Sequence, residues 1–277
     1  MDNIKSVRYN VVMDLKKQVR IYAILLIVVI FIAFGITTNR KVASEITWNI
    51  LKLPKLILFI DTDADVAVKI GNYYFNVNNE GAYDLEKAKY YFNKALELDP
   101  NVSDAWHQLA RINFLAGNFG DALLEINKQI EIHDDGLMSS YYIRGLIYGF
   151  MDEHEMAEKD FLIFAEWDKE NWAVHNDLAW IYFKNGDYEK AEQISRKGLD
   201  FNPNNPWLLN SYGVSLMNTN KSASANVALL KALDEAQKLT PFEWQKAYPG
   251  NNPNVAKEGL ENFIEAIEFN VNLLAGT

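Results

Sequence analysis

The chain contains no cysteine, which removes disulfides, thiol catalysis and zinc-finger sites together while leaving the redox compartment open. It also lacks a glycine-rich phosphate loop, a nucleophile elbow and a convincing acid/base pair. An enzyme is therefore not expected, and no cofactor is implied. Metal ligands fail as a set. Asp61-x-Asp63-x-Asp65 imitates the start of a calcium loop, but Val66 stands where the sharp turn needs glycine and Asn72 where a bidentate glutamate belongs. Those acids read instead as charge favouring the N-terminus of a following helix. His154, within Asp152-Glu153-His154-Glu155, has no second histidine at ligand spacing, and His107, His133 and His175 are no better placed.

A stripe of Lys and Arg interleaved with aromatics is missing too. The net charge of -10 is unevenly spread: residues 1–60 carry 9 Lys/Arg against Asp2, Asp14 and Glu45, while the remainder carries 18 basic and 34 acidic residues. A body this acidic repels a phosphate backbone, so nucleic acid is excluded as an expected partner. What is present in quantity is apolar surface: 49% of 277 residues are hydrophobic and 13% aromatic, enough for one or two packed domains.

The N-terminal part divides into a basic tail (1–20), an apolar run (21–38) and a linker (39–62). Ile21 to Ile36 holds no charge, and Val19 to Thr38, with Arg20 snorkelling, spans roughly 30 Å at ~1.5 Å per residue, about one hydrocarbon core. Lys16, Lys17 and Arg20 precede it and Arg40 and Lys41 come after it. A cleavable signal peptide is the rival, since Ala33-Phe34-Gly35 offers small residues at a suitable separation, but the leader is long and a retained single-pass transmembrane helix is the expectation. Five basic residues before the span against four after it favour a cytoplasmic N-terminus and an extracytoplasmic body. Residues 46–60, broken by Pro54, are too short and too charged to span, and are expected at the interface or packed on the first unit of the body.

Beyond the linker the sequence repeats with a period near 34 residues. Trp106-x2-Leu109-Ala110 is followed by Gly117, Ala122 and Ile126. Gly145, Tyr148, Ala157 and Phe161 keep the register, as do Leu178, Ala179, Tyr182, Gly186, Ala191 and Pro203, and then Tyr212, Gly213, Leu216, Ala225, Leu229 and Ala232. An earlier unit, Ile70-Gly71-x2-Tyr74 with Ala88, Phe92, Ala95 and Pro100, has its halves about five residues too far apart, the excess falling in the polar stretch Asn78–Asp84. Small residues let two helices approach closely, and proline ends the second helix. The predicted architecture is all-α: a solenoid over 63–240 with repeats at 63–102, 103–137, 138–171, 172–205 and 206–239. A loop and a capping helix (241–277) complete it, with Leu260, Phe263, Ile264, Ile267 and Val271 on one apolar stripe.

These motifs resemble the tetratricopeptide repeat (TPR) family, as a membrane-anchored member. The resemblance implies that the first helices of the repeats line a concave groove that binds a protein or peptide partner. Carried over position by position, the groove residues are Asn72 and Phe75 from the first repeat, His107, Arg111 and Phe114 from the second, and Tyr142, Leu146 and Phe150 from the third. The fourth and fifth give Asn176, Trp180, Phe183, Trp207, Asn210 and Met217. Only Arg111 and scattered asparagines answer to the set that clamps a C-terminal carboxylate in some members, so a groove for an extended or helical apolar segment is expected. The leading functional expectation is an anchored interaction module serving export, folding or assembly of envelope complexes, within a possible membrane complex. The alternatives are a cytoplasm-facing receptor or adaptor, and an accessory subunit presenting substrate to an enzyme.

Overall fold

The computed structural model describes Val29 and residues 40–79, 81–133, 137–247 and 256–275. The basic tail, the loop at 248–253 and, but for Val29, the apolar run 21–38 lie outside them. Among the described residues no helix is long and apolar enough to cross a membrane.

The described elements are helices: α1 (Arg40–Leu51), α2 (Pro54–Ile60), α3 (Ala64–Phe75), α4 (Leu85–Leu98), α5 (Ala105–Leu115), α6 (Phe119–His133) and α7 (Ser139–Phe150). They continue as α8 (His154–Trp167), α9 (Trp172–Lys184), α10 (Tyr188–Phe201), α11 (Pro206–Asn218), α12 (Ser222–Ala236), α13 (Pro241–Ala247) and α14 (Ala256–Ala275). From α3 to α12 they pair as five antiparallel hairpins, and each second helix packs on the first helix of the next pair.

The seam inside each pair follows one rule of size compensation. Ala88, Ala122, Ala157, Ala191 and Ala225 recur at a fixed place on the second helices, all fully buried. Opposite, Gly71, Gly145 and Gly213 on the first helices face Phe92, Phe161 and Leu229, close enough that a Cβ at these glycines would lie 2.6–2.7 Å from the partner side chain. Where the first helix carries Ala110 or Ala179 instead, the second carries Ile126 or Ser195, both smaller than the rings of Phe92 and Phe161. Ser195 is buried and satisfies its hydroxyl on the Ala191 carbonyl at 2.6 Å. Close packing of this kind needs complementary volumes, since interiors hold few voids.

Turns within the pairs repeat as exactingly. Gly117, Asp152, Gly186 and Asn220 adopt φ of 75°, 59°, 78° and 59°, the left-handed region that glycine, aspartate and asparagine tolerate. After each, the next N–H bonds back to a carbonyl five residues earlier: Asn118 to Asn113, Glu153 to Tyr148, Asp187 to Tyr182 and Lys221 to Leu216, at 2.8–2.9 Å. This satisfies carbonyls that the helix end would otherwise leave open. Helix starts are capped by side chains: Asp63 accepts from the N–H of Asp65, Asp84 from Lys87, Asn171 from Ala173 and Asn205 from Leu208.

Both ends of the stack are covered. Residues 40–60, expected as a linker, form α1 and α2, whose Trp48 and Ile57 are buried against Ile70 and Tyr91 of the first pair. At the other end α14 brings Ile267, Phe263 and Ile264 onto Leu209, Leu233 and Ala236 of the fifth pair.

Candidate peptide-binding groove

The first helices of successive pairs touch one another, α5 with α7, α7 with α9 and α9 with α11, so their free faces form one groove containing three cavities. The first, about 340 Å³, lies between α3 and α5 and takes Asn72, Phe75, Gln108, Arg111 and, from α13, Lys246. The second, about 520 Å³, takes His107, Arg111, Phe114, Tyr142, Leu146, Trp172 and Ala247. The third, about 420 Å³, takes Phe114, Leu146, Phe150, Asn176, Asp177, Trp180, Trp207, Asn210 and Phe263. Shared walls at Arg111, Phe114 and Leu146 join them into one surface.

Individual residues are held differently along it. Phe75 is buried, packs edge-on to Phe92 and carries the Arg111 guanidinium 4.7 Å above its ring, a cation–π contact. Arg111 also donates to Gln108 Oε1 at 2.8 Å, and burial lowers its pKa. His107 is buried with Nδ1 3.0 Å from Ser140 Oγ. Burial and the Arg111 charge push its pKa down to about 4, so its ring is neutral at pH 7.

Phe114, Phe150 and Trp180 form a chain of rings, with centroids 5.2 and 5.4 Å apart. Phe150 is 54% exposed although it is a large ring. Trp207, 9% exposed, is stacked between Trp172 and Phe263 at 5.0 and 5.3 Å. Asn176 accepts from Ser211 Oγ at 2.8 Å, and Asn210 Oδ1 lies 3.5 Å from the Asn270 amide of α14.

Two of the positions expected in the groove lie outside the three cavities. Phe183 packs 5.3 Å from Tyr188 of its own pair, and Met217 packs beside Leu216, Ala225 and Leu274. Both stand near the ends of their helices, where the next turn or α14 covers the groove face. Conversely, Asp177, Gln108, Trp172 and Phe263 enter the groove without having been expected there. Asp177 was legible in principle: it is the one acid in a helix that reads WAVHNDLAWIYFK. Phe263 was legible only as one member of the apolar stripe of α14.

The comparisons with known proteins agree with this architecture. Tetratricopeptide repeat models match residues 91–124, 139–171 and 173–205. This is a chain of tetratricopeptide repeats. An uncharacterised protein of Methanocaldococcus jannaschii is 40% identical over 62 residues, which are 21% of this chain and 70% of that protein. A peroxisomal targeting signal receptor of Kluyveromyces lactis is 28% identical over 96 residues, 35% of this chain but 17% of the receptor, so the TPR chain spans about a sixth of that relative.

Among solved structures, MamA superposes with a TM-score of 0.54 at 21% identity over 63% of this chain and 92% of MamA. PilF of Pseudomonas aeruginosa gives 0.56 at 18% over 77% and 92%. YrrB, described as a TPR protein with an unusual peptide-binding site, gives 0.54 at 17% over 67% and 93%. At these identities the likeness is one of fold. The TPR solenoid is a protein–protein interaction module.

Proposed function

We propose that this TPR protein is a membrane-anchored scaffold that holds a polypeptide segment along the groove from Asn72 to Asn210, in the export, folding or assembly of envelope complexes, and that it is not an enzyme. The observation that carries the reading is the continuity of the three cavities, walled by rings of which Phe114, Phe150 and Trp180 remain partly open and by amides of Asn72, Asn176 and Asn210. Each ring covered by a ligand contributes on the order of 1.5–3 kcal/mol, and the amides can pair with peptide backbone.

The anchor rests on residues 21–38, whose length and lack of charge suit one bilayer crossing. The basic flank before them favours a cytoplasmic N-terminus and an extracytoplasmic solenoid. Protease protection in intact cells tests this topology. A solenoid digested from the extracytoplasmic side agrees with it, whereas digestion only after the membrane is opened places the repeats in the cytoplasm and contradicts it.

The binding role is tested by comparing partners that co-purify with the full chain and with a Phe114→Ser, Trp180→Ser variant that keeps its helical circular dichroism. Loss of a specific protein is expected. Retention of every partner would move binding off the groove.

A further inference from the structure

Asp177 lies on the floor of the third cavity with its side chain almost wholly out of water. Its Oδ2 accepts from Tyr142 Oη at 2.6 Å and its Oδ1 from Asn176 Nδ2 at 3.3 Å. Both donors are neutral, and among the described residues no cation is one of the groups that act on it. Burial raises its pKa to about 6 against those two hydrogen bonds, as expected of a carboxylate removed from water without a counter-charge.

Elsewhere in the same repeats the pattern differs. Buried Asp160 receives both Arg144 Nε and Nη2, at 2.6 and 2.8 Å. Among the described residues the cavity above Asp177 has no lysine or arginine in its walls, and five of those walls are the rings Phe114, Phe150, Trp180, Trp207 and Phe263. Ring faces attract cations, more strongly once water is excluded.

We infer that the third cavity is a subsite for a lysine or arginine side chain of the bound polypeptide, its aliphatic stem lying on Phe150 and Trp180 and its charge meeting Asp177. The inference rests on the peptide-groove reading and makes it specific. An apolar segment alone would leave the carboxylate buried and uncompensated, while a cationic side chain supplies the missing charge and uses the ring faces at the same time. The acidic body, with 34 acidic against 18 basic residues beyond residue 60, attracts such a segment at longer range.

The test uses fluorescein-labelled nonapeptides of Ala, Leu and Ser that differ only in a central lysine, arginine, norleucine or glutamate, titrated against the full chain by fluorescence anisotropy. The lysine and arginine peptides are expected to bind about tenfold more tightly than the norleucine peptide. Asp177→Asn keeps the shape of the side chain and should reduce that preference to about twofold. Phe150→Leu, at a ring 54% exposed, should weaken the lysine peptide more than the norleucine one. If norleucine binds wild type as well as lysine does, or if Asp177→Asn retains the preference, the cationic subsite is overturned and the groove stands. If no peptide of the set binds wild type, the groove reading falls with it.

Discussion

Helix α7 has two faces that use the same kinds of residue for opposite ends. Toward α8, Gly145 receives the Phe161 ring and Arg144 closes on Asp160, so ring and carboxylate are both sealed with a partner. Toward the groove, Tyr142 holds Asp177 by one hydroxyl, and Phe150 stands half in water beside Trp180. The lesson is that burial of an aromatic or an acid in a TPR does not by itself mark a structural role. Completeness of its partnering does: the seam leaves nothing for a ligand to add, and the groove leaves a charge and several ring faces.

The largest test of this contrast removes the sealed ring. Phe161→Ala should destabilise the chain by about 3–5 kcal/mol, read by urea denaturation, because the gap against Gly145 and Tyr142 cannot close. Next comes the sealed carboxylate. Asp160→Ala strips Arg144 of its bidentate partner at a side chain only 18% exposed and should cost about 3 kcal/mol. Asp177→Asn should go the other way, since the ionised form is disfavoured in the fold; a gain of about 1 kcal/mol at pH 7 is expected. A loss comparable with that of Asp160→Ala would erase the distinction between the two faces.

The pH dependence sharpens the comparison further. Asp177 has its pKa raised from 3.8 to about 6, so between those values the folded chain holds a proton that the unfolded chain has released. Its contribution to stability is present below about pH 4 and is lost as pH rises toward 6. His107 has its pKa lowered from 6.5 to about 4, so there the unfolded chain holds the extra proton and stability increases with pH across that interval. The two contributions oppose each other in wild type. Asp177→Asn removes the opposing contribution, so stability should rise with pH more steeply than in wild type across that interval, by up to about 1.4 kcal/mol per unit. A variant with the wild-type slope would mean that Asp177 titrates normally.

Much of this was written in the sequence, and the reason is the seam. Ala88, Ala122, Ala157, Ala191 and Ala225 must be small for the helices to meet, so the period and the repeat boundaries show without any structure. Groove positions were legible only through the resemblance to the TPR family, because side chains that face a ligand obey no packing rule within the chain itself. Asp177 escaped notice since its neighbours in space, Tyr142 and the rings of α5, α7 and α14, are far away in sequence. Phe263 escaped for a similar reason, as an apolar stripe predicts that α14 packs but not against which face. Packing of residues 46–60 on the first repeat was one of the two expectations for them, but the helices over 40–60 were hidden by their brevity and by Lys52 and Pro54, which made the stretch read as a linker. Their amphipathic partners, Ile70 and Tyr91, explain why they fold there.

The central claim is that the groove, and not another surface of the TPR solenoid, meets a polypeptide. A photo-crosslinker placed in living cells at Phe150 or Trp180, and in parallel at Leu124, 71% exposed on α6 away from the three cavities, measures it directly. The account predicts one discrete polypeptide adduct from both groove positions and none from Leu124. Adducts from Leu124 alone, or no adduct from either groove position, would contradict it.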